Sequence, residues 1–147
     1  EGAGPIVLFF DGEHIWTANA HSDTVTKFSR DGEALGNFEV GDVPIAFAEE
    51  GDHIWVANWR EHTVSKLSKE GDNLGRFDTG RLPYGIEFDG EHIWTANSMD
   101  GTVSKLSLDG ELLATYPVGA APAKILSVNG EIWVTLTSDD SIVRLKP

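Results

Sequence analysis

The sequence contains no cysteine, so neither a disulfide nor a thiolate zinc site helps to hold it together. Basic residues are scarce: 11 Lys+Arg stand against 24 Asp+Glu, a formal net charge of -13. That balance repels a nucleic-acid backbone and an anionic membrane, so neither is expected as a partner. Long apolar runs are missing as well. The longest, Pro5 to Phe10, is far shorter than a membrane span requires. No window carries the three- and four-residue apolar spacing of an amphipathic helix, which disfavours the helical repeat folds. No signal peptide is visible, and an extracellular or periplasmic location follows only if one was removed from before Glu1.

What the chain has in abundance is itself. The nonamer DGEHIWTAN at positions 11–19 recurs letter for letter at 89–97. An offset of 39 residues brings Ile15-Trp16 onto Ile54-Trp55, Ile93-Trp94 and Ile132-Trp133. Lys27 falls on Lys66, Lys105 and Arg144, and Val25 on Val64, Val103 and Ile142. Gly2, Gly41, Gly80 and Gly119 form one column; Pro5, Pro44, Pro83 and Pro122 form another. The repeats are therefore 2–40, 41–79, 80–118 and 119–147, within a single domain spanning 1–147. Each full repeat reads as four short strands rich in β-branched and aromatic residues, separated by Gly, Asp and Asn turn signals. In the second these are PIAFAEE, HIWVAN, TVSKLS and NLGRFDTG. Four antiparallel strands in about 40 residues make the blade of a β-propeller. The expected fold is all-β: a β-propeller with four blades per chain, the fourth lacking its outer strand.

The motifs PYGIEFDG (83–90), IWTAN (93–97) and TVSKLS (102–107), with the closing Gly119, resemble the virginiamycin B lyase-like, NHL and YVTN group of bacterial propellers. The resemblance implies that the Pro-led strand is innermost, and it marks fold far better than activity. It also brings a lyase-like, metal-dependent enzyme into view as an alternative. Virginiamycin B lyase places an acid–base histidine in a Glu-x-His arrangement on a seven-blade ring. Here every acid–His pair is adjacent: Glu13-His14, Asp52-His53, Glu61-His62 and Glu91-His92. No catalytic residue is carried over, no cofactor is expected, and the chain reads as a binding or scaffold module rather than an enzyme.

Ring closure has two solutions. Four blades could close on themselves, the simpler reading because no partner is needed. Alternatively two chains could build an eight-bladed homodimer, which the larger rings of the resembling group favour. Either way Ile142, Val143 and Leu145 lie in an open edge strand.

Features that recur in every repeat are explained by what every blade needs. His14, His53 and His92 share one column and read as turn residues, not as metal ligands, because equivalent positions radiate outward. Glu61, Asp100 and Asp139 share another, joined by Asp140 and Asp23, and no metal is assigned to them either. Pairing the second and third strands through four-residue loops sets Trp16, Trp55, Trp94 and Trp133 against Lys27, Lys66, Lys105 and Arg144, a cation over each indole.

The repeats diverge on one face, in the loops joining strands two and three and those entering the inner strand. There Trp59, Arg60 and His62 occupy one loop, Arg81 and Tyr84 enter from the next blade, and His21 sits in the equivalent loop of the first repeat. Trp, Tyr and Arg dominate binding hot spots, so these six residues form the candidate site for a small molecule or carbohydrate.

Overall fold

A computed structural model describes residues 4–147 as fifteen strands in four antiparallel sheets. Gly2, the first member of the glycine column, lies outside the described residues. Blade 1 holds β1 (Pro5–Phe10), β2 (Ile15–Asn19), β3 (Thr24–Phe28) and β4 (Ala34–Glu39). Blade 2 repeats it with β5 (Pro44–Glu50), β6 (His53–Asn58), β7 (Thr63–Ser68) and β8 (Asn73–Asp78). Blade 3 has β9 (Pro83–Phe88), β10 (Ile93–Asn97), β11 (Thr102–Leu106) and β12 (Leu112–Pro117). Blade 4 has only β13 (Pro122–Val128), β14 (Glu131–Leu136) and β15 (Ser141–Leu145). Each sheet is a meander in chain order, as expected of a propeller blade. The Pro-led strands lie innermost, and residues from all four border one axial cavity.

The register is the one the sequence predicts. Trp16 faces Lys27, Trp55 faces Lys66, Trp94 faces Lys105 and Trp133 faces Arg144. Each cation lies over its indole at 5.1–5.6 Å from the ring centroid. The same residues also bind blades together. The Lys27 ammonium donates to the Lys69 carbonyl of blade 2 at 2.5 Å, and that of Lys66 to the Leu108 carbonyl of blade 3 at 2.8 Å.

The core consists of three blade–blade seams. Trp16 and Val25 pack against Ile54, Val56 and Leu67; Trp55 and Val64 against Ile86, Ile93 and Leu106; Trp94 and Val103 against Ile125, Ile132 and Val134. Both faces of blades 2 and 3 are thereby buried, which is why their strands read as continuous apolar runs.

A polar clasp recurs inside blades 1 to 3. The side-chain amide nitrogens of Asn19, Asn58 and Asn97 each donate to two hydroxyls on the neighbouring strand, such as Thr63 at 3.0 Å and Ser65 at 2.8 Å for Asn58. Blade 4 has Leu136 and Val143 in those places.

The ring does not close within the chain. Ile6, Leu8 and Phe10 of β1 are exposed on the outer side of blade 1, and Leu126, Val128, Trp133 and Ile142 are exposed on the outer side of blade 4. A four-blade ring closed on itself would bury both sets against each other. The simpler of the two closures is therefore not the one this fold adopts, because the apolar faces that would have to meet stand open.

Candidate functional site

The loop face is variable in sequence but regular in backbone. The residues just before the inner-strand prolines, Val43, Leu82 and Ala121, have φ of 58°, 55° and 50°, and Gly4 at the same position has 64°. Their carbonyls accept from the residue that follows strand two: Ala20, Trp59, Ser98 and Thr137 donate to Gly4, Val43, Leu82 and Ala121 at 2.9–3.1 Å. Three of the four are non-glycine residues in the left-handed region, and Val43 is β-branched, so backbone strain is held at the mouth of each inner strand.

A second left-handed column contains Asp23, His62, Gly101 and Asp140. His62 is thus a turn position of the blade. Its carbonyl accepts from the Thr79 N–H at 2.9 Å, and its Nδ1 accepts from the Leu82 N–H at 3.1 Å.

The six candidate residues fall into more than one group on the loop face. Arg81 is committed to Asp100, donating from Nε at 2.6 Å and from its backbone N–H at 2.7 Å. This double contact, led by the backbone N–H, holds the Asp100 carboxyl below its ordinary value. Tyr84 is exposed beneath the Lys124 ammonium, 5.1 Å from its ring centroid. Trp59 is half-buried, and its indole N–H is buried without a partner among the described residues. Arg60 and His21 share an open cleft of about 460 Å³ that they line with Ala20, Asp23, Asp42 and Val43, and His62 and Arg81 both stand close enough to Asp100 to act on its carboxyl.

The acids of the loop face brace its turns. The Asp139 carboxylate accepts from the Ala120 N–H at 3.3 Å and that of Asp23 from the Val43 N–H at 3.0 Å. Glu61 accepts from Arg76 at 2.9 Å and from Thr63 at 3.0 Å. The glycine column is explained by the same crowding, since a Cβ on Gly41 would overlap the side chains of Glu61 and Asn58.

A column that the sequence reading passes over lies under the tryptophans. The Asp11 carboxylate accepts from the Trp16 indole N–H at 2.7 Å, and that of Asp89 from the Trp94 indole at 2.6 Å. Burial pushes both carboxyls up, but the indole and the turn N–H groups of residues 13–14 and 91–92 outweigh it and hold them below the ordinary value. Blade 2 has Glu50 there, which takes His53 at 2.9 Å and leaves the Trp55 indole N–H without a partner among the described residues. Blade 4 has Val128. The column Asp11, Glu50, Asp89, Val128 was available at the same 39-residue offset and is the signal that marks blade 4 as different. The column histidines stay at these turns: His14 and His92 stand 3.8 Å and 3.9 Å from Asp11 and Asp89.

An apolar cleft lies on the open face of blade 4. Ile125, Leu126, Val128, Trp133, Val134 and Ile142 line a cleft of about 470 Å³, with Lys124 and Thr135 at its border. The equivalents of Trp133 and Ile142 in the other blades are fully buried, whereas these two are 37% and 64% exposed. An exposed cluster of this kind, rimmed by polar residues, is the type of surface on which proteins bind one another or a ligand.

No protein-family model matches the sequence, and no curated protein matches it. Solved structures do. Hydrazine synthase from Kuenenia stuttgartiensis superposes with a TM-score of 0.89 at 20% identity, over 97% of this chain and 46% of that one. Virginiamycin B lyase from Staphylococcus aureus, in a catalytically inactive form with quinupristin, gives 0.87 at 17% identity, over 97% and 52%. The computationally designed Ika4 protein gives 0.84 at 14% identity, over 99% of this chain and 93% of that one. These likenesses establish a β-propeller fold similar to that of virginiamycin B lyase. The chain spans about half the length of the first two proteins.

Proposed function

We propose that this chain is a non-catalytic association module, half of a propeller that offers its two terminal blade faces to further blades. The observation that supports it is the pair of open apolar faces at the ends of an otherwise tightly packed stack. Fully burying one Leu or Ile contributes about 1.5–3 kcal/mol, and seven large apolar side chains stand exposed on these two faces. The acid–His pairs that an enzyme reading would use have structural work already: His62 anchors a turn, and His53 pairs with Glu50. Light scattering across a concentration series tests the proposal. The expected mass exceeds the 16.0 kDa of one chain; a value that stays there at every concentration overturns it.

A second reading keeps a small-molecule or carbohydrate site on the loop face. It is supported by the meeting of His21 and Arg60 in one cleft and by the unpartnered Trp59 indole N–H nearby in sequence. A panel of sugars and nucleosides should raise the thermal midpoint, and the gain should disappear in Arg60→Ala. No shift with any compound removes this reading.

A further inference from the structure

Resting on that association reading, we infer that the occupant of each open face is a second copy of this chain, and that two copies close an eight-bladed ring. The argument is one of equivalence within the molecule. Every blade turns one face onward, carrying its Trp, the Val or Ile of its third strand and the third-to-last residue of its inner-strand column. Every blade turns the other face back, carrying the Ile before its Trp and the apolar residue near the end of its third strand.

Three such seams are visible. Phe9 of blade 1 stacks on Phe47 of blade 2 with centroids 5.4 Å apart. Trp16 packs with Ile54 and Leu67, and Trp55 with Ile93 and Leu106. These back-facing residues, Ile54, Leu67, Ile93 and Leu106, are completely buried.

The offset that relates the seams names the contacts of a fourth. Leu126, the counterpart of Phe9, meets Leu8 of the second copy, the counterpart of Phe47. Trp133 covers Ile15 and Phe28 of the second copy, which are half-buried here although their counterparts in blades 2 and 3 are sealed. Arg144, already 5.6 Å from the Trp133 ring centroid, occupies the place of Lys27. The carbonyl it would reach is that of Arg30 in the second copy, the counterpart of Lys69 and Leu108.

The residues that break the repeat favour this seam over solvent. Where blade 3 turns Glu87 and Asp89 onward, blade 4 turns Leu126 and Val128. Where blade 2 turns Glu49 back, blade 1 turns Phe10. A face meant for water would gain charge at these positions rather than lose it. Because a blade 4 face fits a blade 1 face, two copies related by a twofold axis form two identical seams and leave none open.

The absence of native cysteine permits a direct test. Leu8→Cys and Leu126→Cys are introduced together, both at exposed positions, and the protein is oxidised at low concentration. The expected product is a covalent species of twice 16.0 kDa, with two disulfides per pair and none in either single variant. Cross-linking within one chain at 16.0 kDa shows four-blade closure and overturns the inference, and a ladder of larger species shows an open filament and overturns it too.

Leu8→Asp and Leu126→Asp provide the second arm. Each should raise the dissociation constant at least about a hundredfold, since each change is felt at both seams. Mixed one to one, they should recover partial dimer, because one of the two seams in the mixed pair is intact. If Leu126→Asp dissociates the protein but Leu8→Asp does not, association remains and the partner face is wrong. If the unaltered chain never associates, the association reading itself falls.

Discussion

Asp11 and Asp89 each accept three hydrogen bonds, two from turn N–H groups and one from an indole, at 2.6–2.8 Å. The turn and the Trp behind it are thereby locked to one another, with the charge on the carboxylate supplying much of the strength. Asp89→Asn should cost about 1.5–3 kcal/mol at neutral pH, measured by urea denaturation. The sign of the pH dependence follows from the direction of the shift. A carboxyl held low in the folded state contributes its stability above the unfolded value, near 3.8, and loses it as pH falls through the folded one. The gap between wild type and Asp89→Asn should therefore be constant at neutral pH and close in strong acid. A gap that widens in acid would show that the contact does not depend on the charge. Glu87 moves the other way. Burial between blades 3 and 4 pushes it up, against a hydrogen bond from the Ser127 N–H at 3.1 Å.

At the scale of the strand, blade 4 differs from the rest in holding three strands among the described residues. In blades 1 to 3 the third strand is paired on both sides, by β4, β8 and β12. In blade 4, among the described residues, β15 pairs with β14 alone and its outer edge carries no further strand. Arg144 and Lys146 lie on or beside that edge and both pair with Glu131, at 3.4 Å and 3.2 Å, which places charge where another chain's strand would otherwise add. Hydrogen exchange should find the outward amides of β15 exchanging at loop-like rates while β3, β7 and β11 remain protected. Equal protection of all four third strands would mean that something covers the β15 edge. Much of the strand pattern was legible in advance, because turn residues and Pro-led strands recur at a fixed offset. The loop face was less so. Sequence divergence there marked six candidate residues, and one of them, His62, like the position before each proline, also sits in left-handed backbone geometry that tolerates several side chains. A left-handed φ at Val43 or Leu82 leaves no compositional trace, since those residue types are the last to be expected there.

For the molecule as a whole, the net charge of -13 sets two copies against each other over long range. The faces that would join are apolar, so added salt should screen the repulsion without weakening the contact. Association should tighten as sodium chloride rises from low to physiological concentration, read from the concentration midpoint in sedimentation. Weakening with salt would identify ion pairs, not the Leu126 and Trp133 face, as the adhesive.

The amino-acid sequence by itself determined the blade: its period, its strands and its tryptophan–cation pairs. These depend on local pattern and on pairing between strands only a few residues apart, which a repeat displays four times over. Whether the stack closes was decided by the tertiary structure alone. Closure depends on the angle accumulated from blade to blade, a sum of small packing rotations that no residue encodes individually. Only once Leu8 and Leu126 are placed in space do they stand out as exposed residues on the two terminal blades.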